Sequence, residues 1–279
     1  MAWEPERYAR FRAEREQPFR DLLALVQPRP GMTVVDLGCG TGEATLQLHR
    51  ALGARETVGL DSSPQMLAKA PSADGLRFEL GDLARATGQF DLVFSNAALH
   101  WVPDHPALLA RLSALLLPGG QLAVQVPCNE AHPSQKAALA VAREPRFARA
   151  LRGYERRSPV LAPAAYAALL HRLGFARQQV RLQVYAHLLG SVDEVVEWVR
   201  GALLTAYQER LSPDEFARFV DRYRERLQQA LGDGRPYLFT YDRILFWAGG
   251  AGEGAGAGGA AAADGGAAAA AGATENGRP

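Results

Sequence analysis

The chain has 279 residues, 31 basic against 30 acidic, a formal net charge of +1 and 48% hydrophobic residues. That length suits one large domain or a domain with a substantial insertion, and the balanced charge gives no strong field for nucleic acid. Cys39 and Cys128 make neither a disulfide framework nor a metal-ligand cluster, and no apolar run of about 18 residues suggests a span or a signal peptide. No metal, no membrane and no nucleic-acid partner are therefore expected of a cytoplasmic protein. Only Lys69 and Lys136 among the basic residues are lysine, which devalues any single arginine as a ligand signal.

The first clear element is Val34-Val35-Asp36-Leu37-Gly38-Cys39-Gly40-Thr41-Gly42. A β-branched run ends in an acid and breaks into three glycines, and an amphipathic helix, Glu43 to Leu52, follows. This is strand, glycine loop, helix, the unit that places a ligand at the carboxyl ends of a parallel sheet. The spacing G-x-G-x-G differs from the dinucleotide pattern G-x-G-x-x-G, because Glu43 stands where the last glycine would fall. No Gly-Lys-Ser/Thr follows, so a P-loop is excluded as well. Asp36 would repel a pyrophosphate and suits a cationic ligand bearing an ammonium and a sulfonium.

Val58-Gly59-Leu60-Asp61 is a second strand ending in an acid, at the spacing where a carboxylate accepts both ribose hydroxyls. Ser62-Ser63-Pro64 opens the next helix, over residues 65–70, with Ser63 as N-cap. Leu76 to Leu80 is a third strand ending in Gly81-Asp82-Leu83. Phe90 to Asn96 is a fourth, its last residues on the same rim. A helix from Pro106 to Leu117, a turn at Pro118-Gly119-Gly120 and a strand from Gln121 to Val126 come next.

Helical stretches are then expected over about 134–153 and 163–173, a strand over 180–185, helices over 192–211 and 213–231, and a last strand over 238–247. The fifty or so residues between the last two strands exceed the hairpin such a sheet needs, and connections that long commonly form a lid or a substrate pocket. The stretch Gly249 to Pro279 is almost all glycine and alanine, offers nothing to bury, and is expected to be a flexible extension.

Motif I of the class I S-adenosylmethionine (SAM) dependent methyltransferases is similar to residues 34–42. Three further segments narrow the resemblance: Trp3 to Arg15, Asn96-Ala97-Ala98-Leu99-His100-Trp101-Val102-Pro103-Asp104-His105, and Leu122 to Pro127. Together they resemble the trans-aconitate 2-methyltransferase family, to about Ala248. The resemblance implies an α/β fold with a Rossmann-like seven-stranded sheet, mostly parallel with the last strand antiparallel, and a helical insertion between the last two strands. It divides the chain into an N-terminal helical lid (1–30), a SAM-binding domain (31–187), the insertion as substrate lid (188–236), the last strand (237–248) and the tail (249–279). It further implies methyl transfer from SAM to a carboxylate of a small organic acid by a protein expected to be a monomer.

Carried onto this sequence, the resemblance assigns SAM to Asp36, Gly38, Gly40, Asp61, Ser62, Asp82, Leu83 and Asn96. Asp82 would accept from the adenine amine, beside the Leu83 backbone amide. Candidates for the substrate are Tyr8, Phe11 and Arg15 from the N-terminal segment, His100 and Trp101 after the fourth strand, and Arg235 and Arg243 near the last. No residue is required as a catalyst, because a carboxylate with a reference pKa near 4 is already ionised; His100 and Trp101 are the candidates should one act. One departure stands out. The family carries an arginine-proline-aromatic run where this chain reads Leu204-Thr205-Ala206-Tyr207, so Thr205 replaces an arginine and a less charged acid becomes a competing expectation. Also left open are O- or C-methylation of a different small molecule, with His100 as base for a hydroxyl, and a SAM-binding protein without turnover.

Overall fold

A computed structural model describes residues 12–251. Its centre is a seven-stranded sheet of β1 (Thr33–Leu37), β2 (Glu56–Asp61), β3 (Leu76–Leu80), β4 (Phe90–Asn96), β5 (Leu116–Pro127), β6 (Phe175–Leu189) and β7 (Tyr237–Ala251), in the order β3-β2-β1-β4-β5-β7-β6. β1 to β5 pair in parallel, and β7 runs antiparallel to both β5 and β6. The sheet is the mostly parallel one with a reversed last strand that the sequence implies. β1 lies between β2 and β4, so the order of winding reverses there and opens a crevice at the carboxyl ends of β1 and β4.

Alternation along the strands separates two apolar faces. Val34, Leu92, Phe94, Ala123, Leu245 and Trp247 meet helix α1 (Arg12–Leu23) and helix α2 (Glu43–Leu52) on one face. The other face carries Val35, Val93, Val124, Ile244 and Phe246, covered by α4 (His105–Ser113) and α7 (Pro163–Arg172). The short α3 (Pro64–Leu67) is capped by Ser63, whose hydroxyl accepts from the Met66 amide at 3.3 Å.

A second apolar core lies apart from the sheet's two faces. It joins α5 (Pro133–Ala142), α6 (Pro145–Ala150), α8 (Val192–Val199), α9 (Thr205–Gln208) and α10 (Pro213–Leu231) around Phe147, Trp198, Tyr207, Phe219 and Tyr223. Leu189, Tyr237 and Phe239, from the part of the β6–β7 hairpin beyond the end of β5, complete it. This lobe is therefore built from two stretches of chain. The division at residue 188 captures only one of them, since residues 133–151 pack with the insertion.

Five local expectations are corrected. The helix expected to Leu117 ends at Ser113, and Pro118-Gly119-Gly120 is not a turn ahead of the strand but a bulge within β5, where the ladder shifts between Phe90↔Leu116 and Leu92↔Gln121 and Gly119 takes φ +73°. The helix over 134–153 is two helices, because Pro145 has no amide to continue the first. The helix over 192–211 contains a π-helical turn at Arg200–Leu204 before α9. β7 continues to Ala251, past the Gly249 at which the tail was expected to start, with Gly249 still paired to Gln121. Residues 252–279, the remainder of the expected tail, lie outside the described residues.

Candidate active site

The crevice between β1 and β4 is lined by the glycine loop. Gly38, Gly40 and Gly42 all take positive φ, of +77°, +58° and +74°, but for different reasons. A Cβ on Gly38 would stand 2.2 Å from the Cβ of Ala98, and one on Gly42 would stand 2.5 Å from the Phe78 ring. Those two glycines let the loop seat against β3 and the turn after β4. A Cβ on Gly40 would meet nothing within 4 Å. Of the three, Gly40 alone presents its backbone to open space, as close approach of a ligand requires.

Three acids surround this loop. Asp36 is buried on the α1 face of β1, and the Thr45 hydroxyl of α2 donates to its Oδ2 at 2.6 Å. Burial pushes the Asp36 carboxyl up to about 6, against the Thr45 hydrogen bond and with a smaller push from Asp61. A buried carboxylate in that state gains from a cation placed beside it. Asp61 accepts from the Gly40 amide through Oδ2 and from the Ser63 amide through Oδ1, each at 2.8 Å. Each oxygen keeps acceptor capacity for a further donor, because a carboxylate offers about four lone-pair directions. Asp82 caps the turn Leu83–Arg85 through the Ala84 amide at 2.9 Å and lines a cleft with Leu60, Gly81, Ala86 and Phe90. Ser62 is exposed at the end of β2, and Leu83 is half-buried.

These positions fit SAM. The open face of Gly40 leaves space at the crevice, Asp36 is a buried acid suited to the ammonium and sulfonium, and Asp61 retains two acceptors for a diol.

Beyond β4 the chain makes a tight turn in which Ala97 takes φ 56° and donates its amide to the Gln125 carbonyl at 3.0 Å. His100 and Trp101 follow on the single turn Leu99–Trp101, their rings 4.7 Å apart. The turn is braced from below: His105 Nε2 donates to the Leu99 carbonyl at 3.1 Å, which leaves Nδ1 to accept from the Tyr166 hydroxyl. His100 is buried, whereas Trp101 is 52% exposed and so does not fill core. The His100 imidazole is pushed down to about 3, first by burial and then by the charges of Arg156, Arg243 and His105.

Strand register aligns several polar side chains on the α1 face. Asn96 pairs with Gln125, and Arg243 pairs with Pro127 one row further out. Asn96 Oδ1, both amide atoms of Gln125, Asn129 Nδ2 and His100 Nδ1 are buried without a hydrogen-bond partner among the described residues. Buried polar atoms are rarely left so, and a group of them marks a place built for a polar ligand.

The remaining sequence candidates separate. Arg243 is buried beside this row, with its guanidinium 4.6 Å from the Tyr241 ring centroid. Arg235 is not brought there. It stands in the exposed turn before β7, and the six steps from Tyr237 to Arg243 alone span about 20 Å of extended strand. Arg15 lies on α1, whose Phe19 packs edge-on against Phe94 at 5.7 Å. Tyr8 and Phe11 lie outside the described residues. Thr205 turns its hydroxyl back to the carbonyls of Arg200 and Gly201 at 3.3 and 3.1 Å.

No sequence signal singles out Thr45, Asn129 or Arg156. Gln125 does carry a signal, since a glutamine inside an apolar central strand needs a reason. Its neighbour Gln121 has one within the fold: it holds the Gln27 backbone and the Trp247 indole. Among the described residues no such partner explains Gln125.

A family model described as a methyltransferase domain matches residues 8–180. The chain is 46% identical over 254 residues to the trans-aconitate 2-methyltransferase of Deinococcus radiodurans, covering 88% of this chain and 97% of that one. It is 39% identical over 237 residues to the trans-aconitate 2-methyltransferase of Variovorax paradoxus, covering 82% and 90%. Among solved structures, the YcgJ protein of Bacillus subtilis shares the fold with a TM-score of 0.56 at 15% identity, covering 84% of this chain and 98% of that one. No described helix is long and apolar enough to cross a membrane.

Proposed function

Because the chain belongs to the trans-aconitate 2-methyltransferase family of SAM-dependent methyltransferases, we propose that it transfers the SAM methyl group to a carboxylate of trans-aconitate, giving the monomethyl ester and S-adenosylhomocysteine. The observation that carries this reading is the similarity to the Deinococcus radiodurans relative across 88% of the chain.

Asp36 would hold the ammonium end of the cofactor, Gly40 its passage over the loop, Asp61 the ribose and Asp82 the adenine amine. Gly38, Ser62, Leu83 and Asn96 would shape the rest of that site. Bound there, SAM supplies an electrophilic methyl group on a positively charged sulfur. The protein's share is to place a carboxylate oxygen in line with that methyl and to keep water out, and such positioning can supply roughly 7–11 kcal/mol of the barrier lowering.

The site favours a carboxylate over a hydroxyl as acceptor. A hydroxyl would need a base, and the group nearest to hand, His100, is held at about 3, far too weak to deprotonate an alcohol near neutral pH. A carboxylate needs none. The helical lobe serves as the substrate lid, while α1 packs on the sheet through Phe19 and Leu22.

The product decides the reading. Transfer of a labelled methyl group followed by mild alkali should release labelled methanol, because a carboxyl methyl ester saponifies. An ether or a C-methyl product would keep the label, and either would overturn carboxyl transfer.

A further inference from the structure

Arg156 belongs to none of the motifs that mark the cofactor site, and lies in the segment that leads from α6 back to α7. It is half-buried, and its guanidinium carbon is 6.0 Å from the ring centroid of Trp101. Its side chain reaches Gln135 Oε1 only through a long hydrogen bond of 3.5 Å. It makes no ion pair with an acid among the described residues, whereas its neighbours in the lobe do: Arg143 with Glu155, Arg146 with Glu215, and Arg222 and Arg226 with Glu144. The Tyr207 phenol, in the buried core of the lobe, senses both the backbone and the charge of Arg156.

Arg243 approaches the same spot from the sheet. It is buried in β7, one row beyond Gln125. Arg156 reaches the turn after β4 at Trp101 from the lobe, and Arg243 comes from the sheet, one row beyond the Gln125 that pairs with Asn96 at the start of that turn. In the next row of the sheet the Gln125 amide is buried without a partner among the described residues, as are Asn129 Nδ2 and His100 Nδ1. Two cations beside unpartnered polar groups match an acid with more than one negative group. Once one carboxylate faced the methyl donor, a dicarboxylate would leave one side unanswered and a monocarboxylate both.

We propose that Arg156 and Arg243 form a two-sided clamp for the carboxylates that are not methylated, and that Arg156 is the residue that makes the site select di- and tricarboxylic acids. The clamp rests on the carboxyl-methylation reading for its biological meaning, while its test reads binding. Arg156 forms its side of the clamp by charge and hydrogen bonding to the substrate, and takes no part in holding the cofactor.

The test is calorimetric titration of trans-aconitate into the S-adenosylhomocysteine-saturated protein, with S-adenosylhomocysteine affinity measured alongside. Arg156→Met should weaken trans-aconitate binding about 10- to 100-fold, the scale of one charge-assisted contact, while S-adenosylhomocysteine binds as to wild type. Arg156→Lys should recover part of the loss, since it restores the charge without the planar fork. In turnover, Arg156→Met should raise KM for trans-aconitate far more than it lowers kcat. Unchanged trans-aconitate affinity in Arg156→Met overturns the clamp, as does an equal loss of S-adenosylhomocysteine affinity, which would mark a structural role. A wild-type protein that binds trans-aconitate but never methylates it would refute the methylation reading and support the clamp. One that binds no polycarboxylate would refute the clamp itself.

Discussion

Gly38 and Ala98 are in direct contact across the mouth of the crevice, so close that a Cβ on Gly38 would stand 2.2 Å from the Ala98 Cβ. The glycine loop and the turn carrying His100 and Trp101 are thereby locked together, and the motif's glycines divide into packing and ligand roles. Gly38→Ala should cost about 2–4 kcal/mol through overlap and left-handed backbone strain. Gly40→Ala, facing open space, should cost only about 1 kcal/mol in stability, yet weaken S-adenosylhomocysteine more than any stability change explains. Thermal melts paired with calorimetry check both. Equal destabilisation by the two variants would contradict the division.

Asp61 should be the strongest single contributor to cofactor affinity. Its two oxygens already order Gly40 and Ser63, and two ribose hydrogen bonds at about 1.5–3 kcal/mol each would be lost with them. Asp61→Ala should therefore reduce S-adenosylhomocysteine affinity by about 100-fold or more, measured on protein whose circular dichroism shows it folded. Wild-type affinity in that variant would remove Asp61 from the site.

Asp36 links binding to pH. Its carboxyl is raised by burial from 3.8 to about 6, so the folded protein holds a proton there that the unfolded chain has released. Between those values stability falls as pH rises, and above pH 6 the penalty is complete, at most about 3 kcal/mol. Asp36→Asn should melt higher than wild type at pH 7.5, with the gap closing toward pH 4. The same variant should lose SAM affinity, and wild-type affinity should fall as pH drops below about 6, where the acid is neutralised. An Asp36→Asn protein that melts lower at pH 7.5 and binds SAM normally would contradict both roles.

His100 should not act as a base. With its imidazole at about 3, kcat/KM for the acid at saturating SAM should show no His100 ionisation between pH 6 and 8, and His100→Ala should change KM for the acid more than the shape of the profile. An ionisation near pH 6.5 that disappears in His100→Ala would instead point to a hydroxyl acceptor.

The sheet was legible in the sequence because its signals are local. Asp36, Asp61 and Asp82 each follow an apolar strand, and the strand periodicity that places Asp36 on the α1 face is contained in Val34-Val35-Asp36. Arg235 illustrates the limit. It sits close to Arg243 in sequence, but on a strand such proximity becomes distance, and the hairpin carries it away from the rim. Arg156 shows the converse: nothing in its neighbours Glu155 and Arg157 marks it, and only the packing of the lobe brings it to Trp101. Gln125 was visible as a polar residue in a buried strand, but its meaning depends on Gln121 being satisfied and Gln125 not.

Turnover of a panel of tri-, di- and monocarboxylic acids with a radiolabelled methyl donor tests carboxyl methylation of a clamped polycarboxylate most directly. The expected pattern is alkali-labile methylation of trans-aconitate, weaker methylation of dicarboxylates, and least of monocarboxylates, since two arginines must be answered. Methylation of monocarboxylates alone, or of none of the acids, would contradict it.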